Sequence, residues 1–118
     1  MHYMPSTVPD EAVEALRPAF AHSYSGTPEE WIQRCRDDLA QLWRVGRSWA
    51  ITQIMDVQGI RIIHCKALAG EFNEAIKSEM EAFGRKHGCK KAIYEGRIGW
   101  MRKNRDYKTL AAMMEKEL

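Results

Sequence analysis

The sequence predicts one α/β domain of the α+β kind, with a mixed, mainly antiparallel sheet covered by helices on both faces. Three observations carry this. Three runs rich in Trp, Val, Ile and Thr, "LWRV", "SWAITQIMDV" and "IRIIHCKAL", are separated by Gly46-Arg47 and Gln58-Gly59, two-residue turns of the hairpin kind. Both alternating faces of the middle run, Trp49/Ile51/Gln53/Met55 and Ala50/Thr52/Ile54, are largely apolar, so helices are needed on both sides of the sheet. A long amphipathic helix then leads to a further strand, "KKAIYEG", the order of a parallel crossover that makes the sheet mixed.

Pro5 and Pro9 bracket a first segment of strand or coil. "DEAVEALRPAF" places Val13, Leu16 and Phe20 on one side of a short helix that Pro18 should bend or end. The next helix is better marked. Thr27 is a good N-cap, Pro28 suits the first helical position and Glu30 completes a T-x-x-E capping box. Trp31, Cys35, Leu39 and Leu42 follow at helical spacing. In "EFNEAIKSEMEAFGRKHG", Phe72, Ala75, Ile76, Met80 and Phe83 form an apolar stripe. Acids crowd the first turns, Arg85, Lys86 and His87 sit in the last, and Gly88 supplies the stop. "RIGWMRKNRDY" reads as a short basic helix. For "KTLAAMMEKEL" propensity favours helix, whereas its length after the basic helix suits a closing strand.

A chain of 118 residues fits one domain with a real core. Cys35, Cys65 and Cys89 are an odd number at irregular spacing, matching neither a disulfide framework nor a paired zinc site, and read as small core residues. His2, His22 and His87 lack metal-ligand spacing, so no metal is expected. His64 alternates with Ile62 and Lys66 in a strand and reads as a core or edge histidine. Trp31, Trp43 and Trp49 fall on core faces, and Tyr94 and Tyr107 sit where an aromatic packs. The N-terminus lacks a signal pattern and no stretch is long enough to span a bilayer, so a cytoplasmic protein is expected. The net charge is +2, yet residues 84–108 hold nine Lys/Arg against two acids, +7, leaving 2 − 7 = −5 elsewhere.

The order of elements resembles the GCN5-related N-acetyltransferase (GNAT) fold, in which two helices precede an antiparallel meander and a strand–long helix–strand step leads to closing strands. More narrowly, "FGRKHGCKKAIYEGRIGWMRKNRDYKTLAAMMEKEL" is similar to the C-terminal half of small GNAT-like proteins of bacteriophages and prophages, through its Gly-Cys stop, "GRxGW" turn and "EKEL" end. That closer similarity covers about residues 66–118.

The resemblance implies acyl-CoA chemistry, with acetyl-CoA or CoA held by backbone N–H groups of Ala67, Leu68, Ala69 and Gly70 before the long helix. The family signature there is [RQ]-x-x-G-x-[GA]. This chain reads "CKALAGEFNE", where Gly70 alone matches a loop glycine and Glu71 and Glu74 add negative charge. The family's thiolate-protonating tyrosine would fall near Arg102, and its asparagine near Ile98. Glu95 is the one carboxylate of its strand; it is the candidate general base, or else a solvated edge residue. An N-acyltransferase with an unknown acyl acceptor is therefore one expectation. A non-catalytic protein of this fold with a virion, assembly or host partner is the second. A nucleic-acid module gripping through Arg97, Arg102, Lys103, Arg105 and Lys108 is a third, although spacings of 5, 1, 2 and 3 scatter those side chains around a helix. Trp100, in the "GRIGW" turn, would pack under that helix or line the ligand mouth.

Overall fold

The computed structural model describes residues 2–20, 26–70, 74–95, 108–110 and 113–118. The chain runs β1 (His2–Tyr3), a 3-10 turn (Pro5–Thr7), α1 (Glu11–Phe20), α2 (Pro28–Arg36), β2 (Gln41–Val45), β3 (Ser48–Val57), β4 (Ile60–Ala69), α3 (Glu74–Lys86), β5 (Lys91–Glu95), β6 (Lys108–Leu110) and β7 (Met113–Glu117). These strands form one seven-stranded sheet in the order β1-β2-β3-β4-β5-β7-β6. Every neighbouring pair is antiparallel except β4 and β5, which run parallel as the crossover through α3 requires. The mixed sheet expected from the sequence is the one observed.

Local signals explain where the elements begin and turn. Thr27 Oγ1 accepts the Glu30 N–H at 3.2 Å, and Glu30 Oε2 accepts the Thr27 N–H in return, the capping box read from the sequence. Val45 faces Ser48 and Val57 faces Ile60, so both hairpins close on two residues. Gln58 and Gly59 both have positive φ, the geometry that matches the strands' twist.

Helices cover both faces. Ala12, Leu16 and Phe20 of α1 and Trp31, Ile32 and Cys35 of α2 pack with Trp49, Ile51, Ala67 and Ala69. On the opposite face Ile76 and Met80 of α3 pack with Ala50, Ile63, Cys65, Leu68, Ala92 and Tyr94. All three cysteines are buried thiols, and burial pushes Cys35 and Cys65 up to about 12, which keeps them protonated and inert.

Four local expectations change. Pro18 lies inside α1, which continues two residues past it to Phe20 at the cost of one backbone hydrogen bond, while Leu16 and Phe20 on either side of it are held by the core. α2 stops at Arg36, well before Leu39: Asp38 takes φ +59° and Leu39 is 61% exposed, while Leu42 is buried as a β2 residue. The face that α3 buries is Ile76, Lys77, Met80, Glu81 and Gly84, with Ala75 exposed and Phe83 edge-on to Trp43 at 5.4 Å. A Cβ added to Gly84 would stand 2.8 Å from Ile63 Cγ2, so the helix approaches the sheet where it has no side chain. Finally, the C-terminal segment takes the strand alternative and not the helix, as two strands instead of one closing strand, with β7 paired to β5 within the chain.

Candidate functional site

The site lies where β4 and β5 part. Their parallel pairing covers Ile62↔Lys91, Ile63↔Ala92, His64↔Ile93 and Cys65↔Tyr94. β5 ends one residue later at Glu95, whereas β4 continues to Ala69. Among the described residues, β4 beyond Cys65 pairs only with β3, so the edge of Lys66, Ala67, Leu68 and Ala69 that faces β5 lacks a strand partner. The same stretch carries a bulge. Ile51 pairs with Ala67 and Thr52 with Cys65, so Lys66 is the extra residue of β4. A bulge bends its strand and breaks the alternation of faces: Cys65 packs under α3 and Ala67 against α1 and α2, while Lys66 keeps the side of His64, over Trp31.

Three polar groups meet there. His64 Nε2 lies 3.0 Å from Glu95 Oε1, and Lys66 Nζ lies 3.7 Å from the same oxygen. The imidazole contact is close but short of a well-directed hydrogen bond. The Glu95 side chain is 20% exposed, so it is not the solvated edge residue that the sequence also allowed. Burial, and then the Lys66 ammonium, push the His64 pKa down to about 4 against the pull of Glu95. His64 is therefore neutral at pH 7. A neutral imidazole touching a carboxylate can pass a proton and be stabilised while charged, which is what transfer from an incoming nucleophile demands.

Trp31 of α2 backs the cluster. Lys66 Nζ stands 5.6 Å from its ring centroid and the Arg34 guanidinium carbon 4.2 Å from it. Nothing in the spacing around Arg34 marks it as a site residue. The sequence also left His64 without a partner, because the partner lies 31 positions later and arrives only through the crossover.

The other predicted residues fall elsewhere. Ala67, Leu68 and Ala69 are buried at the end of β4, and Gly70 follows with φ +92°. A Cβ at Gly70 would stand 2.7 Å from the Arg47 carbonyl oxygen, so backbone geometry alone accounts for this glycine. Tyr94 points away from Glu95 into the core beneath α3. His87 is exposed and packs on Phe83. Arg97, Trp100, Arg102, Lys103, Arg105 and Tyr107 lie outside the described residues, and Lys108 is placed only as the start of β6. No group of three His, Cys, Asp or Glu that could hold a metal occurs among the described residues, and no described helix is long and apolar enough to cross a membrane.

A seven-stranded sheet of this order, forked between the strands that flank the crossover helix and helix-covered on both faces, defines a GNAT-like fold. The solved structure of a GNAT family acetyltransferase from Brucella melitensis, in complex with acetyl-CoA, matches all of this chain and 86% of that one with a TM-score of 0.61 and 13% sequence identity. No protein-family model and no curated protein matches the sequence.

Proposed function

We propose that the chain is an acyl-CoA-dependent N-acyltransferase whose reacting centre is the fork between β4 and β5. The buried contact between His64 and Glu95 at that fork carries this reading. The edge of Lys66 to Ala69, which has no strand partner on the β5 side among the described residues, fits the cofactor, because strand N–H and C=O groups suit an extended chain bearing amides. That the matching acetyltransferase holds acetyl-CoA supports the same assignment.

A bound acyl-CoA would supply an electrophilic acyl carbon and a thiolate leaving group. Glu95 accepts the proton that the attacking amine sheds as its N–C bond forms. His64 stays neutral in the resting site and shares that proton, while Lys66 holds the carboxylate in place. Ala67 to Ala69 would align the cofactor by backbone groups alone.

A second reading, a non-catalytic protein of this fold that binds a virion, assembly or host partner, is favoured by Glu74. It puts a carboxylate in the first turn of α3, where the positive end of a helix would otherwise hold a pyrophosphate. The narrower phage or prophage reading rests on the likeness of residues 66–118 alone.

Calorimetric titration with acetyl-CoA separates the two. Micromolar binding is expected, together with thiol release in the presence of amines, and Glu95→Gln should keep the binding while turnover falls about 100-fold. Absence of binding at millimolar acetyl-CoA would give the chain to the second reading.

A further inference from the structure

The arginines of the described residues sort by their partners. Arg17, Arg36, Arg44, Arg61 and Arg85 each reach a carboxylate. Arg47, exposed at the β2–β3 turn, and Arg34 reach none among the described residues. Arg34 differs because it is half-buried, lying over the Trp31 ring at 4.2 Å. Lys66 Nζ stands 5.6 Å from that ring, so the two cationic centres are at most 4.2 + 5.6 = 9.8 Å apart. Glu95 is the one described carboxylate within ion-pair distance of either. An indole face holds a cation less strongly than a carboxylate does. With His64 neutral, the group of Arg34, Lys66, His64 and Glu95 carries a net charge of +1.

We propose that Arg34 and Lys66 form an acceptor subsite for a small amine that bears its own carboxylate, an amino acid or a close analogue. The inference rests on the transferase reading and adds the substrate class. The acceptor's carboxylate would supply the counter-charge that Arg34 lacks among the described residues, and its amine would then face Glu95 from the Lys66 side. Guanidinium recognition of a carboxylate is directional, so this contact also orients the nucleophile. A polyamine would bring further positive charge to a site already carrying an excess of it. Acyl-CoA phosphates are a different anion at a different place: the cluster lies on the α1 and α2 face, whereas α3, whose N-terminus is the helix end that suits a pyrophosphate, covers the opposite face.

The test compares alanine with alaninamide and spermidine as acceptors for thiol release from acetyl-CoA. In parallel, N-acetylalanine and N-acetylalaninamide are titrated calorimetrically, a readout that needs no turnover. The acid should exceed its amide about tenfold in kcat/KM and in affinity, the difference expected of one hydrogen-bonded charge pair. Arg34→Gln should bring both ratios close to one while acetyl-CoA affinity holds. Equal binding of acid and amide, or a preference for spermidine, would overturn the proposal. So would an Arg34→Gln variant that loses acetyl-CoA instead, since the pair would then serve the cofactor phosphates. An acid preference in binding with no thiol release from any amine would uphold the carboxylate subsite and remove the transferase reading.

Discussion

Two carboxylates sit half or wholly inside this protein on opposite faces of one sheet, and they are built differently. Glu81, under α3, has a side chain 6% exposed; Lys116 Nζ lies 3.0 Å and Arg85 Nη2 3.5 Å from its Oε1. Glu95, at the fork, meets one ammonium at 3.7 Å and an imidazole that is neutral at pH 7. The first carboxylate meets permanent counter-charges from a helix and from the strand that pairs with β5, so it ties α3 to β7. The second meets the Lys66 ammonium at longer range, beside a group that can gain a proton, at the place where the pairing of β4 with β5 stops among the described residues. Compensation of the first kind holds a fold together; the second kind sets a carboxylate against an imidazole that burial keeps neutral.

The acid limb of unfolding should separate them most strongly. The folded pKa of His64, about 4, lies below its ordinary 6.5, so between those values the unfolded chain takes up a proton that the folded chain refuses. Stability should therefore be unaffected by His64 above pH 6.5 and fall as pH drops towards 4, by up to about 3 kcal/mol. Denaturant titrations from pH 7 to pH 4 on the wild type and on His64→Gln would measure this. The variant should lose that part of the slope; parallel slopes in the two proteins would mean that the fork does not hold His64 neutral.

How legible these regions were in the sequence follows the range of the interactions. Hairpin turns and the Thr27 capping box depend on residues within a few positions of one another, so Gly46-Arg47, Gln58-Gly59 and Thr27-Glu30 were readable. Leu39 misled because its spacing continues the α2 pattern into Leu42, a strand residue whose agreement with helical period is accidental. In α3 the apolar pattern favoured Ala75 and Phe83, but close approach at Gly84 turned the buried face towards Lys77 and Glu81, whose long stems bury even though their ends are charged. Glu95 could be singled out as the carboxylate of its strand. Its contact with His64 could not, since it depends on the parallel register of β4 with β5, which has no local sequence signature.

Neutralising each carboxylate in turn sharpens the contrast. Glu81→Gln leaves Lys116 and Arg85 facing an amide in a nearly dry setting and should destabilise by about 2 kcal/mol, less than the loss of a fully enclosed pair because both cations keep some contact with water. Glu95→Gln should change stability by under about 1 kcal/mol, since the imidazole it touches is uncharged and Lys66 pairs with it only at 3.7 Å. Guanidinium denaturation at pH 7 gives both values. Equal losses would make the fork a structural ion pair like its counterpart.

The smallest effect concerns the closing strand. The Lys116 side chain is 24% exposed, and Lys116→Met keeps much of its aliphatic stem while removing the cation 3.0 Å from Glu81. Arg85, one turn along α3, remains within reach at 3.5 Å and can take a larger share of the carboxylate. The expected loss is about 1 kcal/mol, below that of Glu81→Gln, and a double-mutant cycle between the two positions should return a coupling of about the same size. A coupling near zero would mean that Arg85 alone compensates Glu81. β7 would then be held to α3 by apolar packing, such as that of Leu118 against Gly84, and by its backbone ladder to β5.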